Sequence, residues 1–216
     1  MASQDATAVE NLLERARELL SEEGALGSAN ALVNQALALR PDSVTAWVVK
    51  CQIASAQGDD FSALAAIEMA VRRAPHRAEA LYWRGAVLGD LERNREALRA
   101  LDRAFAAVTA DDAWLLEDLF YEKACVLGTM ELRDEARRVL EDGLGRCPSS
   151  SLLRLALGGG RTPRSRSLFE VTGELISEPT LSSPLATTAP LLTTPVSDDP
   201  APPRRPALKL LRGGMP

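Results

Sequence analysis

The chain has 216 residues, with 25 Lys and Arg against 30 Asp and Glu, a single histidine and three cysteines. A net charge of −5 at pH 7 argues against a nucleic-acid partner, and Cys51, Cys125 and Cys147 offer neither metal-type spacing nor an even set to pair. Alanine and leucine dominate while aromatic residues reach only 4%, which suits packed helices.

Residues 1–9 are expected to form a flexible N-terminus, and Met1 to Asp5 does not open a signal peptide. From there to about residue 150 one pattern recurs. Arg17, Ala29, Val33 and Ala36 stand 34 residues before Cys51, Ala63, Ile67 and Ala70, which stand 34 before Gly85, Ala97, Leu101 and Ala104. A step of 39 carries Ala97 to Ala136 and Leu101 to Leu140, and Pro41, Pro75, Thr109 and Pro148 fall at the ends of successive units.

One unit reads as two antiparallel helices. Leu81, Gly85 and Leu88 lie on one helical face, and the missing side chain of Gly85 lets a second helix approach, where Ala97 and Ala104 are equally small. Between Asp90 and Asn94 the pattern breaks, with Asn94 placed to cap the second helix. A pair of short helices cannot bury both faces alone, so each unit needs its neighbours.

These residues resemble the tetratricopeptide repeat. That family's 34-residue unit carries a large residue, a small one four later, alanines flanking an aliphatic in the second helix, and a closing proline. The large place is filled here by Leu13, Trp47, Leu81 and Phe120. The resemblance implies an all-α fold: a right-handed α-solenoid of four TPR-like helix hairpins at about 10–43, 44–77, 78–111 and 117–150, with a C-terminal capping helix at 151–157, so that the repeat domain spans 10–157. Arg17 departs from the pattern at a place where the family has a small residue. Five additional residues precede the fourth unit; Asp111 and Asp112 are placed to cap an early start of its first helix, leaving Trp114 and Leu115 either packed over the third unit or exposed as an apolar hook.

After Pro148 the character changes. SLLRLAL (151–157) reads as the capping helix, ended by Gly158, Gly159 and Gly160. Residues 158–216 are expected to be mostly disordered, with ten of the thirteen prolines lying beyond Arg161 among Ser and Thr runs. Ser167–Ile176 stands out: Ser167 and Glu170 form a capping box and Leu168, Val171 and Leu175 share a helical face, while strand alternation fits almost as well. Charge divides with composition, since residues 151–216 carry eight basic and five acidic residues, net +3, leaving residues 1–150 at net −8.

No catalytic motif occurs. His76 follows Pro75 in a turn, Asp59 and Asp60 stand where helix caps belong, and neither HExxH, GxSxG nor CxxC is present. The chain is therefore read as a non-enzyme that needs no metal or cofactor. The absence of an apolar run of about 18 residues points to a cytoplasmic protein without a membrane partner.

The resemblance implies a concave groove lined by the first helix of each unit. Its lining reads as Asn11, Glu14 and Glu18, then Thr45, Val48 and Gln52, then Glu79, Tyr82 and Ala86, and finally Asp118, Tyr121 and Cys125. This lining lacks the basic cluster with which some family members hold a free carboxylate. It suits a basic or apolar segment of another protein, so the expected function is an interaction adaptor or chaperone-like module. Arg204, Arg205, Leu208, Lys209, Leu211 and Arg212 have that same character, which makes the chain's own C-terminal tail a candidate ligand. The alternative is a structural subunit that assembles through its convex face, the Trp114 segment and the tail.

Overall fold

A computed structural model describes residues 2–22 and 24–158, with side chains described from Ala6 onward. The Ser167–Ile176 segment and the basic residues from Arg204 to Arg212 lie outside the described residues. Nine α-helices and one 3-10 turn are present among the described residues, without a strand. They are α1 (Ala2–Leu20), α2 (Leu26–Leu39), α3 (Val44–Gln57), α4 (Asp60–Arg73), α5 (Ala78–Asp90), α6 (Asn94–Ala107), the turn Ala113–Leu115, α7 (Leu116–Thr129), α8 (Arg133–Arg146) and α9 (Ser151–Gly158).

Each odd helix pairs with the even helix after it and packs on the even helix before it. The odd helices also touch one another, α1 on α3 and so on to α7 on α9, whereas the even helices make no comparable contacts among themselves. An array whose odd members converge and whose even members splay is a curved solenoid with the odd helices on the inside. Small residues seat odd and even helices closely on one another. A Cβ at Gly85 would lie 2.7 Å from Leu101 Cγ, and one at Gly143 would lie 2.8 Å from Phe120 Cγ and 2.9 Å from Leu153 Cδ1.

The core runs in three adjoining stretches. Val9, Leu13, Ala16, Ala29, Val33 and Ile53 bind α1 and α2 to α3. Ile67, Leu81, Leu88, Leu101, Leu115 and Leu119 fill the middle, and Phe120, Leu140 and Leu153 join α7, α8 and α9. Outside this core a polar ladder repeats: Lys50 Nζ donates to Asn34 Oδ1 (2.8 Å), Arg84 Nε to Glu68 Oε1 (2.7 Å), and Lys123 Nζ to Asp102 Oδ1 (2.6 Å). The three acceptors are spaced by 34 residues, and each rung ties a first helix to the second helix before it. Such exposed or half-buried surface pairs contribute about 0–1 kcal/mol each, so they fix register more than they stabilise.

Four expectations need correction. Residues 2–9 form the first two turns of α1, because Val9 is buried in the first core stretch. In the same helix Ala16 is fully buried and Arg17 only half-buried, so the small residue facing α2 is Ala16, which precedes Ala29 by 13 residues where Cys51, Gly85 and Ala124 precede Ala63, Ala97 and Ala136 by 12. Asn94 is the first helical residue rather than the cap of α6; that end is held by Arg93, whose guanidinium donates twice to Glu96 at 2.8 Å and holds that carboxyl below its usual range. Asp112 closes the linker instead of capping α7, accepting from the Thr109 hydroxyl at 2.8 Å and its N–H at 3.2 Å. Asp59 does cap α4, and hydrogen bonding from Ser62, side chain before backbone N–H, depresses its pKa.

Candidate peptide groove

The inner row of α3, α5 and α7 places Val48, Tyr82 and Tyr121 at equivalent positions, and Gln52, Ala86 and Cys125 one turn further on. All six are buried: the tyrosines are only 2% and 4% exposed and belong to the core. They form the packed floor between adjoining helices, with Tyr82 set edge-on to Trp83 at 5.5 Å, rather than a set of projecting rings. Within this floor Gln52 Oε1 is buried and has no hydrogen-bond partner.

One turn earlier, Thr45, Glu79 and Asp118 stand half-buried at the open edge of the same row. Sequence reasoning missed Arg77 here. Placed at the N-terminal boundary of α5, it donates to Glu79 Oε2 at 2.7 Å and to Thr45 Oγ1 at 3.3 Å, bridging two units and offsetting the Glu79 charge. Its only signal in the sequence is a basic residue directly after the Pro75–His76 turn, two before an acid. In the first unit Asn11, Glu14 and Glu18 are exposed, and Glu18 is paired with Arg15 at 2.7 Å, which raises the arginine's pKa through that hydrogen bond. The one-residue shift in α1 puts Leu13 and Arg17, not Glu14 and Glu18, at the places matching Val48 and Gln52.

The Trp114 segment divides. Leu115 is fully buried in the middle core, and Trp114 remains 46% exposed. The extra residues thus form a 3-10 turn that leads into α7 and is pinned by Leu115, not an α-helix projecting beyond its neighbours. Cys51 and Cys125 are buried; Cys147 is half-buried, and burial followed by the charge of Glu117 pushes its thiol pKa up. Among the described residues no group of three or more His, Cys, Asp or Glu could hold a metal ion, and no helix is long and apolar enough to cross a membrane.

Helix hairpins stacked at this period, with small residues at each crossing and a first-helix inner row, define the tetratricopeptide-repeat fold, and this chain has it. Three solved structures show the same likeness. PilF of Pseudomonas aeruginosa superposes with a TM-score of 0.65 at 17% identity, covering 73% of this chain and 69% of that one. The thermophilic TPR protein TTC0263 of Thermus thermophilus gives 0.63 at 21% identity, over 70% and 80%. YrrB, described as a TPR protein with an unusual peptide-binding site, gives 0.52 at 22% identity, over 72% and 81%. No protein-family model matches the sequence, and no curated protein matches it significantly.

Proposed function

We propose that the protein is a non-enzymatic interaction adaptor or chaperone-like module whose inner row takes a basic or apolar segment of another polypeptide. The observation that carries this reading is the polar edge of Thr45, Glu79 and Asp118 running along the convergent odd helices, above a floor already filled by Val48, Tyr82 and Tyr121. A filled floor directs a ligand to the edge, where Asp118, and Glu79 in exchange for its Arg77 partner, meet basic side chains through charge-assisted hydrogen bonds. The unusual peptide-binding site of YrrB supports the reading by analogy of fold.

The chain's own basic C-terminal residues, Arg204 to Arg212, are one source of such a segment. A peptide of the sequence from Ala201 to Pro216, titrated into a chain in which Arg204, Arg205, Lys209 and Arg212 are all replaced by Ser, should bind at the edge. Glu79→Gln with Asp118→Asn should weaken it by about tenfold or more, in line with the ~1.5–3 kcal/mol of a hydrogen bond to a charged group. Equal binding by the unsubstituted edge and its neutral version would refute the assignment.

The exposed Trp114 favours a second reading, a subunit that docks through the linker between α6 and α7. Partner capture lost on Trp114→Ser and kept on Glu79→Gln would support that reading against the groove.

A further inference from the structure

The chain sets its own cations over three of its aromatic rings. Lys50 and Arg73 lie 5.7 and 5.5 Å from the centre of the Trp47 ring, Lys123 lies 5.7 Å from that of Phe105, and Arg146 lies 5.8 Å from that of Phe120. Trp114, 46% exposed, carries none among the described residues. Its place in the array is also its own. By the 39-residue step it corresponds to Pro75, and by a further 34 to Pro41, both of which lie in turns outside a helix. At Trp114 the backbone is already helical, since Leu115 (φ −83, ψ −16) and Leu116 (φ −60, ψ −44) carry the 3-10 turn into α7 without a break. Trp114 thus stands three residues before Glu117, four before Asp118 and seven before Tyr121, spacings that share one helix face. The inner row of α7 begins one turn earlier than those of α3 and α5, and it begins on an exposed ring.

The sign of this face follows from its neighbours. From Ala104 to Glu122 the chain has no Lys, Arg or His, against Asp111, Asp112, Glu117, Asp118 and Glu122. At the preceding junction the chain supplies a cation itself, Arg77 bridging Thr45 of one unit and Glu79 of the next. The 39-residue step puts Leu116 in the place of Arg77 at the junction of α5 with α7, so that place holds no guanidinium. Lys123 is held by Asp102 at 2.6 Å, and Arg146 lies over Phe120. We propose that a lysine or arginine side chain of a partner protein fills this place, its charge set between Asp118 and Glu79 and its stem or guanidinium plane laid on the Trp114 ring. The inference rests on the groove reading and joins it to the exposed tryptophan, so that polar edge and aromatic hook are one site. An ammonium or guanidinium over an indole face with carboxylates beside it is attracted by both, and it relieves the mutual repulsion of the acids in this segment.

Titration of the full chain with a short capped peptide of alternating alanine and arginine, followed by NMR through the indole N–H signals of Trp47, Trp83 and Trp114, tests it. The Trp114 signal should shift while the other two stay in place, and the same peptide with citrulline for arginine should bind at least about tenfold more weakly. Trp114→Leu, which keeps an apolar side chain and removes the ring, should weaken binding by about threefold or more, and Asp118→Asn by about tenfold. Binding that Asp118→Asn weakens and Trp114→Leu leaves unchanged would overturn this inference while the groove reading stands. A Trp114 shift indifferent to Glu79→Gln and Asp118→Asn would sink both. Equal binding of the citrulline peptide would show that no cation is recognised, and overturns the inference as well. So would binding that appears only once Arg204, Arg205, Lys209 and Arg212 are replaced by Ser, for then the chain's own tail holds the site.

Discussion

Among the described residues four adopt left-handed backbone, and they stand at the same place in their units: Gly24 (φ +77), Gly58 (φ +73), Glu92 (φ 59) and Glu131 (φ 62). Each closes the turn between the two helices of a hairpin. Glycine adopts this conformation without steric cost, whereas a glutamate Cβ crowds the following carbonyl. Glu92→Gly and Glu131→Gly should therefore each raise the unfolding free energy by about 0.5–1 kcal/mol in urea denaturation. Glycine acts in the opposite way at the helix crossings. Gly85→Ala should cost about 1–3 kcal/mol, because its Cβ would stand 2.7 Å from Leu101 Cγ, while Gly27→Ala, with open space around it, should gain about 0.5 kcal/mol. Equal melting temperatures for the two alanine variants would contradict the crossing geometry.

At the scale of elements, the linker between α6 and α7 shows how an insertion is absorbed. The chain leaves α6, closes a turn in which Thr109 donates to Asp112, and enters α7 through a 3-10 turn. Leu115 anchors that turn among the middle core residues, and Trp114 beside it stays largely in solvent. Leu115→Ser should consequently destabilise by about 2–5 kcal/mol, as expected for cutting back a fully buried Leu and leaving a hydroxyl there, whereas Trp114→Ser should change stability by less than about 1 kcal/mol. Thermal melts of the two variants check this directly. Should Trp114→Ser prove the more damaging, the anchor has been assigned to the wrong residue.

For the molecule as a whole, stability should grade along the array. Each unit contacts only its neighbours, so α5 and α6 are covered on both sides, while among the described residues α1 packs on α2 and α3 from one side. Amide exchange should be slowest in α5 and α6 and fastest in α1, the reverse order being incompatible with nearest-neighbour packing. The same geometry concentrates charge on the outside. Arg72, Arg73, Arg99 and Arg103 are all exposed, Arg73 lying 5.5 Å over the Trp47 ring and Arg103 donating to Pro75 O, as a solvated outer face requires.

The hairpins, their period and the seat at Gly85 were legible in the sequence, because small and large residues recurring at 34 and 39 are imposed by the helix crossings themselves. The register of α1 was not. Arg17 and Ala16 are adjacent, and only packing against α2 decides which of two neighbouring residues turns inward. Gly143 likewise carried no signal of its own, since its role depends on Phe120 and Leu153 meeting over it from two other helices. Sequence put Tyr82 and Tyr121 at equivalent places on the first helices of their units, yet whether a residue there projects or is packed depends on how closely neighbouring odd helices converge. That spacing is set by the sum of all contacts along the array, and it is what made a floor of these tyrosines and an edge of Thr45, Glu79 and Asp118.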